Sequence, residues 1–235
     1  MDSESGELRY AGILSLLIAC ALFLAARVSY IYVADYQRFP INTIRITASY
    51  EHVTHKQLEK ILDKYAEASF FSLPVSRLNA ELATLAWVKK VQVERIWPDI
   101  LKITIVEKIP IALWNNAWIT EEGEVFGKFN AESSNYLSLL KGPNNQQLEV
   151  LQVYKKMSKI LSIYGLQIAS LELRDNHAWE LILSNGVLLH LGKRDLEMRI
   201  TRFCKAYPVI VGNRPEQLAS VDLRYPRGLA VNWKK

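Results

Sequence analysis

The residue types able to do chemistry are few in this sequence and poorly spaced for it. The four histidines are His52, His55, His177 and His190. A zinc site asks for three or four ligands, and the 52/55 pair stands alone beside what reads as a helix start, so solvated side chains at a helix N-terminus are expected. Glu121, Glu122 and Glu124 bring carboxylates together as an acid/base pair would, but Gly123 among them marks a turn, and they read as the charged tip of a hairpin. Cys20 and Cys204 have no Cys or His at ligand spacing. Cys204 continues the near-helical spacing of Leu196, Ile200 and Phe203 and reads as a small buried hydrophobe. No Gly-rich phosphate loop, G-x-S-x-G elbow or H-E-x-x-H helix occurs. No catalytic residue, metal or cofactor is therefore expected.

The chain has 235 residues, half of them apolar, enough for one large domain or two small ones. Its net charge of +5 is uneven: residues 193–235 hold ten Lys or Arg against four acids, a local +6. Such an excess favours an acidic partner, anionic lipid or nucleic acid without choosing among them.

Residues 11–33, "AGILSLLIACALFLAARVSYIYV", carry Arg27 as their only charge and are long enough as a helix to cross a ~30 Å hydrocarbon core. Arg27 sits near one end, where its stem reaches the headgroups, and Tyr30 and Tyr32 suit that interface. A cleavable signal peptide wants a basic head, whereas residues 1–10 hold Asp2, Glu4 and Glu7 against Arg9. "LIAC" at 17–20 looks like a lipid-attachment box with Cys20 as the mature N-terminus, but the apolar run continues past it. An uncleaved anchor is expected. Charge does not orient it, since Arg9 on one side faces Arg27 and Arg38 on the other.

After a connector at 34–40, residues 41–110 alternate between two periods. "INTIRIT" has the period of a half-buried strand, with Ile44 and Ile46 on one face. Thr54 and Gln57 form a capping box and Val53 and Leu58 a staple for a first helix carrying Leu58, Ile61, Leu62 and Tyr65. Leu78, Leu82 and Leu85 mark a second helix. A hairpin follows, with Val91 and Val93 leading in, Pro98 in the turn, and Leu101, Ile103 and Ile105 leading out. The order is β-α-α-β-β, an α+β module with one sheet face and an edge left for contact. Trp87 and Trp97 are expected to pack, against a helix or a neighbouring domain. Arg95 has two readings, a pair with an acid across the hairpin or an exposed recruitment residue.

Residues 111–235 read as a mainly β domain with two packed helices. The first helix carries Val150, Val153, Tyr154, Met157, Ile160, Leu161 and Tyr164, with Gly165 suited to its C-cap. Asn185-Gly186 is a tight-turn signal. The second helix spans roughly 195–207, with Pro208 limiting it. In "VDLRYPRGLAVNW" (221–233), Val221, Leu223 and Tyr225 alternate against Asp222 and Arg224, as in a last strand with an open edge.

The stretch "LAWVKKVQVERIWPDILKITIVEKIPIALW" resembles the POTRA-to-β-domain region of the FtsQ/DivIB family of bacterial cell-division proteins. The matching residues are Trp87, Val88, Val91, Val93, Arg95, Trp97, Pro98, Leu101, Ile103, Glu107, Pro110 and Trp114. The likeness continues through 118–126, 191–203 and 221–233. It implies a transmembrane helix, a POTRA domain and a C-terminal β domain, in a non-enzymatic, single-pass protein of the cell inner membrane. Its N-terminus would be cytoplasmic, its domains periplasmic and enriched at the division septum. It implies binding of FtsB and FtsL, with a part in controlling septal peptidoglycan synthesis. Exported residues would meet no nucleic acid. By the same resemblance, Arg224, Tyr225, Arg227 and Trp233 would contact FtsB, with Tyr225 as anchor unless it belongs to the core. Arg95 and Lys102 are candidates for recruitment of other division proteins through the POTRA domain. The rival readings are a membrane-anchored cell-wall enzyme, which would need a cleft of converging acid, base or nucleophile, and a POTRA chaperone, which would string several such modules together.

Overall fold

The structure is a computed structural model that describes residues 3–49, 51–129, 137–212 and 215–234. The chain divides into two compact units, residues 1–108 and 109–235.

The first unit opens with α1 (Ser3–Ala34). Leu16–Ala34 is apolar enough to cross a membrane and none of it is buried. Leu16, Leu22, Phe23, Val28 and Ile31 are all exposed, which suits a hydrocarbon solvent rather than a protein core. The helix extends N-terminally of residues 11–33 to Ser3, and residues 1–2 of the acidic head lie outside the described residues.

The rest of this unit is an α+β module: β1 (Thr43–Thr47), α2 (His55–Leu62), α3 (Val75–Ala83), β2 (Val88–Ile96) and β3 (Ile100–Glu107). β3 is central, parallel to β1 and antiparallel to β2. The Thr54–Gln57 capping box closes as expected, with reciprocal backbone-to-side-chain bonds of 3.4 and 3.1 Å. Val53 and Leu58, the staple pair, are both buried and join a core of Leu78, Leu82, Val91, Val93, Leu101, Ile103 and Ile105. Ile46 is half-buried, but Ile44 is exposed on β1, an edge strand of the sheet.

The second unit holds β4 (Pro110–Trp114), β5 (Ala117–Thr120), β6 (Val125–Phe126), β7 (Leu139–Lys141), α4 (Gln147–Ser162), β8 (Ile168–Leu173), β9 (Trp179–Leu183), β10 (Leu188–Gly192), α5 (Leu196–Val211), β11 (Leu218–Asp222) and β12 (Ala230–Trp233). They form one nine-stranded sheet in the order β12-β11-β10-β9-β8-β7-β4-β5-β6. α4 connects the parallel pair β7/β8 and α5 the parallel pair β10/β11. Their apolar faces cover one core with Leu140, Leu171, Leu181, Leu189 and Val221.

Three expectations need correction here. α5 runs one turn past Pro208, which lies inside it and is exposed, so the turn loses one hydrogen bond without a buried clash. Tyr164 lies beyond the end of α4 and is exposed, while the unanticipated Leu151 is buried. Finally, β11 stops at Asp222, so the strand does not carry Tyr225 inward.

Candidate partner-binding site

The end of the second unit places Arg224, Tyr225 and Arg227 on the loop between β11 and β12, and Trp233 at the far end of β12, opposite Leu218. β11 is held between β10 and β12, and β12 ends the sheet, with no further strand beside it among the described residues. Its outer row of backbone groups is therefore an unpaired edge.

Arg224 and Tyr225 lie just past the end of β11. Leu223 is fully buried, and its N–H donates to the carbonyl of His190, which fixes the exit of the strand. Beyond that point the chain turns outward. Tyr225 is 54 % exposed and Trp233 43 %, so neither belongs to the core. Tyr225, Pro226, Arg227, Gly228, Leu229 and Ala230 line an open, largely apolar hollow of about 530 Å³.

Two arginines organise this loop. Arg202, on α5, donates to the carbonyls of Pro226 (2.7 Å), Tyr225 (2.8 Å) and Leu223 (3.1 Å). A planar guanidinium is suited to gathering several acceptors in fixed directions. In the sequence it counts only as one more cation, since its partners lie more than twenty residues away. Arg224, which the resemblance turns toward a partner's acids, instead forks onto its own Asp222: Nε reaches Oδ1 at 2.9 Å and a terminal nitrogen reaches Oδ2 at 2.6 Å. The Arg224 hydrogen bond holds the Asp222 carboxyl below its ordinary range, and Asp222 in turn raises the guanidinium. Arg227 is exposed and has no hydrogen-bond or ion-pair partner among the described residues, so its charge is the freer one.

Asp222 closes a row of charge across the sheet face opposite the helices. Glu180 pairs with Arg174 and lies 3.0 Å from His190 Nδ1, and His190 stands in register with Asp222. None of these contacts was legible from local spacing, because each joins residues brought together by strand pairing or by the turn between strands.

The recruitment candidates in the first unit are differently placed. Arg95 meets no acid among the described residues and does not hang free: its guanidinium donates to the Leu73 carbonyl. Lys102, on the central strand, lies 3.7 Å from Glu94, with Arg45 opposite it in register. Trp87 packs as expected, its ring stacked on His52 at 3.6 Å. His52 also faces the buried Glu107, whose carboxylate accepts the N–H groups of His52 and Val53 at 3.1 and 3.3 Å. Trp97 contradicts its expectation: it is 78 % exposed at the hairpin tip. Arg27, Tyr30 and Tyr32 lie exposed on the last turns of α1. Glu121 takes part in a surface contact with Lys155 beside the Gly123 turn rather than in a converging cleft.

Comparison with known proteins fits these two units. Residues 39–108 match the FtsQ-type POTRA domain, and residues 112–224 match the C-terminal domain of the cell division protein FtsQ/DivIB. The chain is 35 % identical to the cell division protein FtsQ of Shewanella oneidensis, over 94 % of this chain and 84 % of that protein. It is 34 % identical to FtsQ of Coxiella burnetii, over 93 % and 90 % respectively. With FtsQ of Escherichia coli the identity is 31 %, over 96 % of this chain and 84 % of the relative. The C-terminal match stops at Arg224, so Tyr225, Arg227 and Trp233 lie just past it.

Proposed function

The chain belongs to the FtsQ/DivIB family of cell-division proteins, and from that membership we propose that it is a non-enzymatic, single-pass protein of the inner membrane that binds the FtsB–FtsL pair and helps control septal peptidoglycan synthesis. Its N-terminus is cytoplasmic, both folded units are periplasmic, and it gathers at the septum. The observation that carries the partner assignment is the unpaired edge of β12 beside the exposed Tyr225 and Trp233. An extended partner segment adds to such an edge through backbone hydrogen bonds, and side-chain pockets beside it select the sequence. Tyr225 over its hollow supplies an amphipathic anchor of the kind that dominates interface energies. Arg227 offers an unpaired cation to an acidic partner residue, and Arg224 contributes mainly by shaping the loop. The open face of the POTRA sheet, where Arg45, Lys102 and Glu94 lie in one row, is the surface for recruitment, with Arg95 setting the hairpin's position rather than reading a partner.

Affinity purification of the full chain from dividing cells tests this reading. It predicts recovery of FtsB and FtsL together. Recovery of wall polysaccharide alone would instead support an enzyme or wall-binding protein.

A further inference from the structure

The connector after α1 is not a free tether. Within the first unit, the Ser69 hydroxyl donates to the Val33 carbonyl at 2.9 Å, satisfying one of the carbonyls left open at the helix end. The Phe70 N–H donates to the Phe39 carbonyl at 2.8 Å. The Phe39 ring lies 6.1 Å from that of Tyr32 and 5.1 Å from that of Phe71, both edge-on, and the Arg38 guanidinium sits 4.4 Å over Tyr32. The C-terminal end of the membrane helix is thus gripped by the 69–73 loop.

Two separate ties bring the β2–β3 hairpin tip to the same level. Asn42 donates to Asp99 through its backbone N–H at 3.1 Å and its side chain at 2.8 Å. Asn42 lies three positions after Phe39, a reach of at most about 11 Å. On the other side, the Leu73 carbonyl of the gripping loop receives the Arg95 guanidinium, two residues before Trp97. Trp97 is 78 % exposed there, and Ile96 and Phe71 are exposed beside the same ties. Tyr30, Tyr32 and Tyr36 with Arg27 and Arg38 already give the helix end the amphipathic and cationic character of a membrane interface.

We propose that the hairpin tip Ile96–Asp99 rests in the lipid headgroup layer, with Trp97 as its anchor, so that lipid contact fixes the stance of the POTRA sheet on the membrane. The proposal rests on the reading that α1 spans that membrane. Its occupant is the bilayer surface rather than a protein because the tip is tied to the point where the chain leaves the hydrocarbon. A tryptophan with an apolar ring and a polar N–H is suited to that layer.

The test uses the full chain in vesicles of phosphatidylethanolamine and phosphatidylglycerol doped with a phosphatidylcholine bearing a headgroup nitroxide. The fluorescence of Trp97 is read as the difference between the wild-type chain and Trp97→Phe. The expected result is that this difference signal loses most of its intensity to the nitroxide lipid and little to aqueous iodide. The reverse pattern, in protein that resists alkaline extraction, would overturn the lipid contact while leaving the span intact. Shielding from iodide that appears only after other division proteins are added would overturn it in favour of a protein partner. Release by the alkaline wash would overturn the spanning reading and the contact with it.

Discussion

Arg202 is the residue on which the shape of the proposed site depends most. It holds three carbonyls of the 223–226 segment and touches no partner in the proposed interface directly. Removing it exposes Tyr225 and Pro226 carbonyls to water, which rehydrates them, so the stability loss is modest, about 1–2 kcal/mol. The larger expected effect is on binding, since a loosened loop must be ordered when the partner arrives. Arg202→Ala should weaken FtsB binding, and Arg202→Lys should not rescue it, because an ammonium keeps the charge but not the fork. Rescue by Lys, read by titration calorimetry, would show that charge and not geometry matters. Tyr225→Ala should cost at least ~1–2 kcal/mol of FtsB affinity with an unchanged melting temperature, as its exposure places it outside the core. A fall in melting temperature with normal binding would reverse its role. Arg224→Glu sets a second carboxylate against Asp222, so Arg224→Gln is the cleaner probe of the fork. The Arg224 hydrogen bond holds the folded-state pKa of Asp222 below its ordinary value of 3.8. Its contribution is therefore present above that value and lost as pH falls through the lower, folded-state one. The Arg224 Nε–H resonance should stay constant at neutral and mildly acidic pH and move only below 3.8; a midpoint above that value would mean the fork is not formed in solution.

At the scale of elements, what was legible in the sequence was what local geometry decides. The Thr54–Gln57 box, the Val53–Leu58 staple, the alternation of β2 and β3 and the stripe of α4 are all set by residues a few positions apart, and each formed. The positive φ of Gly165 and Gly186 likewise matches the turns expected there. What was not legible came from distant partners: Arg95 on Leu73, Glu107 beneath residues 52–53, and the outward turn after the buried Leu223 that frees Tyr225. Trp97 misled because tryptophan composition argues for burial, whereas its placement at a hairpin tip decides otherwise. Cys204, whose helical spacing predicts a core position, is buried on α5, and burial pushes its thiol up to about 11. It should resist alkylation at pH 8 in the folded chain, roughly as an unperturbed exposed thiol of pKa ≈ 8.5 would not. Rapid modification, followed by mass spectrometry, would mean α5 opens far more readily than its packing allows.

Across the whole molecule the two units divide their tasks in this account, one positioned at the membrane and open for recruitment, the other presenting a free sheet edge. A charge reversal at Lys102 should weaken septal localisation without affecting FtsB binding, as observed by fluorescence microscopy and pull-down of the same variant. Equal loss of both, in folded protein, would reject that division. Partner addition at the β12 edge is tested most directly by hydrogen–deuterium exchange of the full chain with and without the FtsB–FtsL pair. Slowed exchange should concentrate in residues 223–234, where β12 gains backbone partners along its open edge. Protection confined to the opposite edge at β6, with 223–234 unchanged, would contradict it.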